Sequence, residues 1–268
     1  IIVLNPLSAQ TDLPLTYLWK PKYYASVEGQ ERLTYARSFA RSQMKFADLD
    51  GDDDMDLLIG KGDGRLALFR NIGNPKESKM RLETEDFEVI HEEKDANQQL
   101  MYLNKIVDVG KNAAPDLADI DDDGDLDLFV GSSDGQIFFF ENRGNKLLPK
   151  FFRVTPIYMN LNFVGNSVPR FADLNGDLAK DLIVGLKDGR VMIYFNSGVS
   201  TNALFCKEYD PLNPPDPRCK FQPLMLTNIY PLGDASPTLV DWDRDKDMDI
   251  VIGKSNGKLD FFWNKGNP

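Results

Sequence analysis

The sequence predicts an all-β fold, a β-propeller built from four recognisable four-stranded blades. Three observations support this prediction. One segment recurs four times in the 268 residues, each copy holds two short β-rich runs around a tight turn, and aspartates cluster in a loop before each pair of runs. The alternatives are a five-bladed ring, or part of a larger ring that is completed by missing residues or by a second chain.

The four copies align without gaps through their centres. Each consists of an Asp-rich loop, a short apolar strand ending in Gly, an Asp-Gly or Asn-Gly pair, and a second strand with aromatic residues. Because Asp-Gly and Asn-Gly tolerate positive φ, they favour tight hairpin turns between the two strands. The copies span Phe46–Asn74, Leu117–Asn145, Phe171–Gly198 and Leu239–Asn267.

The connections between the copies supply the remaining strands of each blade. A short strand precedes each Asp-rich loop, and each connection holds a candidate for an outer fourth strand. These candidates lie at 87–90, 151–154 and 221–226.

The fourth copy reaches the last residue of the sequence without an outer strand of its own. We therefore expect the N-terminal segment 1–39, with its extended aromatic piece Leu15–Trp19, to complete the last blade and close the ring. The chain 1–268 is then a single propeller domain. Its repeats are centred on 40–91, 113–155, 167–227 and 235–268.

Each Asp-rich loop offers side-chain oxygens at positions 1, 3, 5 and 9 and a backbone carbonyl at position 7. Calcium takes six to eight oxygen ligands, so this supply predicts about four Ca²⁺ ions, one per loop. Magnesium is the second choice because it demands a tighter octahedron, and transition metals prefer His or Cys. The predicted metal ligands are Asp48, Asp50, Asp52, Asp54 and Asp56; Asp119, Asp121, Asp123, Asp125 and Asp127; Asp173, Asn175, Asp177, Ala179 and Asp181; and Asp241, Asp243, Asp245, Asp247 and Asp249.

The alternative is that these loops are solvated turns without a metal. Four loops with the same ligand spacing favour calcium, since carboxylates held close together are costly unless a cation neutralises them. The loops differ from an EF-hand, which has a bidentate Glu at position 12 and then a helix. Here position 12 is an apolar residue within a strand, so the position-9 Asp takes the closing role.

The pattern D-x-D-x-D-G-x-x-D, followed by an apolar strand ending in Gly, an Asp-Gly turn and an aromatic-Asn-x-Gly, resembles the FG-GAP or VCBS repeat family. Integrin α-subunit head propellers belong to the same group. The loop Asp119–Asp127 matches in full, whereas the first and fourth loops lack Gly at position 6. The third loop departs furthest, with Asn175 and Leu178 in place of Asp and Gly.

The resemblance implies an extracellular propeller with one structural calcium ion in an inter-strand loop of each matching blade. Integrin-like members carry more blades than the four visible here. This difference is the reason for keeping a larger ring among the alternatives.

The composition excludes some classes of partner and indicates a compartment. The formal net charge is −11, which disfavours nucleic-acid binding, and no apolar run is long enough to span a bilayer. Cys206 and Cys219 flank a proline-rich loop. This favours a disulfide and an extracellular, cell-surface or periplasmic location over two free thiols in the cytosol. Without a starting Met or a basic leader, we expect a processed form or a fragment; alternatively, Ile1–Leu4 is the tail of an apolar leader.

The sequence offers little for catalysis, so we expect a secreted module that binds another protein or subunit rather than an enzyme. His91 is the only histidine and stands among charged residues, which disfavours a Ser-His-Asp triad. The stretches 76–113 and 199–220 are long enough for recognition loops. The alternatives are a lectin or the propeller of a polysaccharide-degrading protein, with Tyr209 and Tyr230 as stacking residues, and, third, a polysaccharide lyase.

Overall fold

In the computed structural model, the structure describes residues 5–6, 24–27, 30–33, 42–74, 77–207, 216–226 and 233–266. These residues form four main β-sheets arranged as a four-blade propeller, which confirms the predicted fold class. The described part of the chain contains one 3-10 turn, Tyr158–Asn160, and no helix of it is long and apolar enough to cross a bilayer.

Twenty strands build the sheets of the described residues. In chain order they are β1 (Asn5–Pro6), β2 (Tyr24–Val27), β3 (Gln30–Leu33), β4 (Gln43–Ala47), β5 (Asp56–Gly60), β6 (Leu66–Asn71), β7 (Met80–Thr84), β8 (Glu88–Lys94), β9 (Leu100–Ile106), β10 (Ala114–Ala118), β11 (Asp127–Gly131), β12 (Ile137–Asn142), β13 (Phe151–Thr155), β14 (Ser167–Ala172), β15 (Asp181–Leu186), β16 (Val191–Tyr194), β17 (Leu224–Met225), β18 (Ser236–Val240), β19 (Asp249–Gly253) and β20 (Leu259–Trp263).

Each blade is an antiparallel meander that begins with an inner strand. The first sheet has the order β4-β5-β6-β7 and the third β14-β15-β16-β17, while the second contains β10-β11-β12-β13. The inner strands β4, β10, β14 and β18 meet near one axis. There, Ser236 Oγ donates to Gln43 Oε1 at 3.0 Å and Arg170 Nη1 donates to the Pro115 carbonyl at 3.1 Å.

The predicted outer strand 87–90 is wrong for the first blade, because β7 takes that place. Residues 88–94 instead form β8, which pairs in parallel with β13 and carries β9 on its other side. The second sheet therefore has six strands rather than four. The cause is apolar packing: Phe87 contacts Phe151 with ring centroids 5.9 Å apart, and Val89 is buried in the core between the first two sheets.

The other two outer-strand predictions are confirmed by β13 and by the short β17. In the fourth sheet, β1 pairs antiparallel with β20, with Pro6 opposite Phe262. The predicted closing piece Leu15–Trp19 lies outside the described residues, and the repeat boundaries stay a prediction.

The core lies between neighbouring sheets, where each sheet covers the face of the next. Leu58 and Leu128 belong to the cluster between the first two sheets, and Phe129 and Leu182 to the cluster between the second and third. Every residue of β11 is buried, as expected for a strand covered on both faces. A blade of this size cannot bury both faces alone, so the sheets stabilise one another.

Cys206 and Cys219 form a disulfide, with their Cα atoms 5.8 Å apart, which confirms the predicted pairing. The Sγ of Cys206 is also within 3.6 Å of Ser197 Oγ. Because Ser197 directly follows the third repeat's Asn196, the disulfide ties the 199–220 connection to the third blade.

Glycines at the ends of the second strands allow adjacent sheets to approach closely. A Cβ atom on Gly131 would lie 2.0 Å from the carbonyl oxygen of Ser167 in the next sheet, and Gly60 and Gly185 make the same kind of contact. The counterpart in the fourth sheet is different, since a Cβ on Gly253 would meet no atom nearer than 3.7 Å.

The joint between the fourth and first sheets, which we call the seam, is therefore packed less tightly. Leu259 is 58% exposed there, and Met44 and Phe46 are exposed on the other side. The counterparts of Leu259 in the other blades are all 0% exposed: Leu66, Ile137 and Val191. In the part of the chain that the structure describes, three joints of the ring are thus well packed and one is open.

Substituting Gly131→Ala should destabilise the protein by about 1–3 kcal/mol, because the added methyl group collides with a backbone carbonyl. Gly253→Ala is the matched control and should leave the melting temperature unchanged or slightly raised, since space is available. Thermal melts of both variants check this expectation. Equal destabilisation by the two substitutions would contradict the account of the joints.

Candidate metal centres

Each Asp-rich loop connects the inner strand of a blade to its second strand, as in the loop between β10 and β11. Because the inner strands run in the same sense around the axis, the four loops lie at one end of the propeller. The position-9 aspartate begins the second strand and is buried in every blade. These residues are Asp56, Asp127, Asp181 and Asp249.

The structure brings the predicted ligands at positions 1, 3 and 5 together in three of the four loops. In each of these, one carboxylate oxygen per residue lies within 4.8 Å of the others. The three clusters are Asp48, Asp50 and Asp52; Asp119, Asp121 and Asp123; and Asp241, Asp243 and Asp245.

The third loop differs in its donor atoms because position 3 is an amide. Asn175 Nδ2 donates to Asp177 Oδ2 at 3.0 Å, so one donor within the loop already satisfies a carboxylate oxygen. Asp173 still occupies position 1 and Asp181 position 9. The third loop therefore has fewer free anionic oxygens than the other three.

Backbone donors fold each loop around its first aspartate. Asp48 Oδ1 accepts from the Gly51 amide at 2.7 Å, and Asp173 Oδ2 accepts from the Leu178 amide at 2.8 Å. This fold needs a left-handed backbone at positions 4 and 6, whatever residue stands there. The left-handed residues are Gly51, Asp53, Asp122, Gly124, Gly176, Leu178, Arg244 and Lys246.

The position-9 aspartate links the loop to the third strand of its blade. Asp127 Oδ1 accepts from the Asn142 backbone amide at 2.7 Å, and Asn142 Oδ1 in turn accepts from the Gly144 and Lys150 amides. The other blades repeat the first contact at 2.8 Å. Sequence reasoning assigned this Asn no role, although the recurring aromatic-Asn-x-Gly was visible.

Several buried carboxylate oxygens of the loops have no hydrogen-bond donor among the described residues. A buried acceptor without a partner costs about 1–3 kcal/mol, and a charged one costs more. The atoms concerned are Asp50 Oδ1, Asp54 Oδ1, Asp125 Oδ1, Asp127 Oδ2 and Asp241 Oδ1. Unpartnered anionic oxygens beside further carboxylates are the donor set that a hard divalent cation requires.

Position 7 differs from the expectation that only its backbone carbonyl would serve as a ligand. The side chains of Asp54 and Asp125 are 3% and 6% exposed, and each has an unpartnered oxygen. Asp247 is half-buried and Ala179 has no side-chain oxygen. The first two loops thus supply five carboxylates each.

The crowding of carboxylates changes their acidity. Burial, together with the charges of Asp121 and Asp123, raises the pKa of Asp127 to about 7 and that of Asp125 to about 6. Burial likewise raises the pKa of Asp181 to about 7. Without a cation, the second and third loops therefore keep part of their protons close to neutral pH.

Positively charged side chains of the protein lie beside the carboxylates of the first loop. Arg70 Nη1 lies 2.6 Å from Asp56 Oδ2 and 3.4 Å from Asp50 Oδ2. Lys146, from the second blade, places its Nζ 3.3 Å from Asp48 Oδ2. Although burial acts in the opposite direction, the donors from Gly51 and Lys146 lower the pKa of Asp48. The residues at the place of Arg70 in the other blades are Glu141, Phe195 and Trp263.

Arg70→Gln should strengthen calcium binding at the first loop by about tenfold or more, which corresponds to about 1.4 kcal/mol, because a competing positive charge is removed. Arg65→Gln is the control, since Arg65 pairs with Asp86 away from the loops. Calorimetric titration with calcium measures both. Unchanged affinity in Arg70→Gln would show that the guanidinium does not compete with the metal.

Leu178→Gly should stabilise the protein by about 1 kcal/mol, because a left-handed non-glycine residue costs about 1–2 kcal/mol and glycine loses part of that gain through chain entropy. Leu178 is exposed, so little packing is lost. Leu178→Ala keeps the Cβ atom and should gain less. Chemical denaturation compares the two, and an equal gain would assign the effect to side-chain exposure.

A family model described as an FG-GAP-like repeat matches residues 119–184, from the first aspartate of the second loop to β15. No curated protein matches the chain. The matched region holds the complete second and third loops, including the carboxylate cluster of Asp119, Asp121 and Asp123. Residues 119–184 thus match an FG-GAP-like repeat, which is consistent with the resemblance seen in the sequence.

Proposed function

We propose that this chain is an extracellular, calcium-binding propeller that acts as a protein-interaction, adhesion or complex-assembly module. The observation that carries the proposal is the set of buried carboxylate oxygens in the Asp-rich loops that have no donor among the described residues. A match to an FG-GAP-like repeat supports it.

Calcium fits these loops better than other metals. The gathered donors are carboxylate oxygens, and the loops contain neither His nor Cys. An ion held by positions 1, 3, 5 and 9 would connect the inner strand, the loop and the start of the second strand. Because Asp127 also bonds to the third strand, calcium would stabilise a whole blade rather than activate a substrate.

The loop end of the propeller also has the character of a docking surface. Leu147 and Leu148 are exposed beside the first loop, and a Cβ on Gly51 would lie 2.4 Å from Leu147 Cδ2. Between the first two loops is a cavity of about 500 Å³, lined by Phe46 and Met55 among others. Apolar side chains next to calcium loops on a rigid scaffold suit recognition of a protein.

A location outside the reducing cytosol is supported by the Cys206–Cys219 disulfide. We also propose that the chain binds rather than catalyses. Its single histidine, His91, is half-buried on β8, and burial together with the charges of Arg153 and Lys105 lowers its pKa. Tyr209 and Tyr230, the candidates for sugar stacking, lie outside the described residues, so no observation favours the carbohydrate alternative.

Removal of calcium should lower both the mass and the stability of the protein. A site at a hundred times its dissociation constant contributes about 2.7 kcal/mol, so chelation with EGTA should lower the melting temperature by several degrees for each occupied site. Native mass spectrometry should count up to four bound ions. Asp121→Asn is the matched variant and should lose one ion, while magnesium at equal concentration should stabilise less.

A metal-free chain that melts at the same temperature in EGTA and in millimolar calcium would overturn the calcium part of the proposal. The binding part is tested on protein and glycan arrays, comparing the parent chain with Leu148→Asp. Protein binding that this variant weakens supports the proposal. Binding confined to glycans would replace it with the carbohydrate alternative.

A further inference from the structure

We propose that the protein forms a twofold dimer by pairing the free edge of β9 with the same edge of a second copy. The inference rests on β9, a seven-residue strand with one edge that is unpaired among the described residues. The backbone groups and side chains on that edge complement those of a second copy related by a twofold axis. The inference goes beyond the proposed function and does not rest on it, because β9 lies outside the metal loops.

The edge of β9 is open in the described part of the chain. β9 is the last strand of the six-stranded second sheet and pairs only with β8 there. The backbone amide of Val107 donates to Phe87, and that of Asp95 donates to Gln99. These bonds fix the alternation of the hairpin, so the odd-numbered residues of β9 bond to β8 and the even-numbered ones point their amides and carbonyls away from it.

The outward backbone groups belong to Leu100, Tyr102, Asn104 and Ile106. Together they offer four donors and four acceptors along one line. Long edge strands of soluble proteins are usually protected by proline, by bulges or by several charges. β9 has no proline, and its register with β8 is continuous. Lys105 is its single charged residue.

The side chains along this edge are unusually apolar for an exposed strand. Tyr102 is 60% exposed, Leu100 51% and Ile106 39%. Val154 on β13 is exposed as well, and Tyr102 contacts Phe152 with ring centroids 6.0 Å apart. An apolar strand edge of this kind requires a partner or is a site of aggregation.

One register satisfies the edge fully. When two copies of β9 pair antiparallel about an axis through Leu103, Leu100 faces Ile106 of the other copy, and Tyr102 faces Asn104. All eight outward groups of each strand then find a partner in hydrogen-bonded pairs. Axes through Tyr102 or Asn104 use only six groups and leave Ile106 or Leu100 unpaired. Identical edges that face each other give a closed, isologous interface.

Charges support the same register. Glu93 stands opposite Met101 within the hairpin, and Met101 would face Lys105 of the other copy, so Lys105 comes between two glutamates. Lys105 already pairs with Glu93 of its own chain. A second row runs from Lys94 through Leu100 to Ile106 and Glu88 of the other copy, so its two ends carry opposite charges. No row of this register places like charges opposite each other.

The first test measures mass against protein concentration by sedimentation equilibrium, using the full chain in millimolar calcium. The parent chain should double its mass as concentration rises. Asn104→Pro removes an outward donor without removing a bond to β8 and should abolish the doubling, whereas Asn104→Ala keeps the donor and should retain it. A chain that is monomeric throughout, or an Asn104→Pro variant that dimerises equally well, overturns the inference.

The second test reads the register and does not depend on the fold of the proline variant. Leu103 residues of two copies would form a non-hydrogen-bonded pair with Cα atoms about 4.5 Å apart, within the range of a disulfide. Leu103→Cys should therefore crosslink under mild oxidation, while Met101→Cys, which would face Lys105, should not. Crosslinking of Met101→Cys to the same extent overturns the proposed register and with it the inference.

Discussion

The crowding of carboxylates is the constraint on which this molecule depends. Each blade begins its second strand with a buried aspartate, and in three blades the loop before it brings three further carboxylates within 4.8 Å of one another. Hydrogen bonds from the backbone satisfy some oxygens, such as Asp127 Oδ1, but leave others bare. Burial and the repulsion between neighbouring carboxylates raise the pKa values of Asp125 and Asp127. A bound divalent cation would remove this repulsion, and the same aspartate would then hold the loop, the second strand and the third strand together.

The loops of the blades differ in the groups that offset the repulsion between their carboxylates. The second loop has a carboxylate at each of its five predicted ligand positions, and no Lys or Arg side chain among the described residues pairs with them. In the first loop, Arg70 and Lys146 already provide positive charge. In the third, the amide of Asn175 replaces one carboxylate and donates to another. Similar loop sequences therefore need not have similar affinities, and the family match to residues 119–184 falls on the region with the most complete loop.

Much of the fold and of the candidate metal site was predictable from the sequence, because residues that recur at the same position in four copies indicate a shared structural role. The loop positions, the hairpin turns and the outer strand β13 followed from aligned residues. The β8–β9 hairpin did not, since its pairing with β13 is decided by the packing of Phe87 on Phe151, which has no local signature. The role of Arg70 was equally hidden, because its distance from Asp56 depends on how β6 lies beside β5.

The open seam between the fourth and first sheets determines where unfolding of the ring begins. In a structure stabilised by contacts between neighbours, opening begins at the weakest contact and proceeds outward from it. Among the described residues, that contact lacks the glycine approach found at the other three and leaves Leu259 and Phe46 exposed. Amide exchange with solvent would thus spread from the two terminal blades toward the central pair, so the second and third blades form the durable half of the molecule.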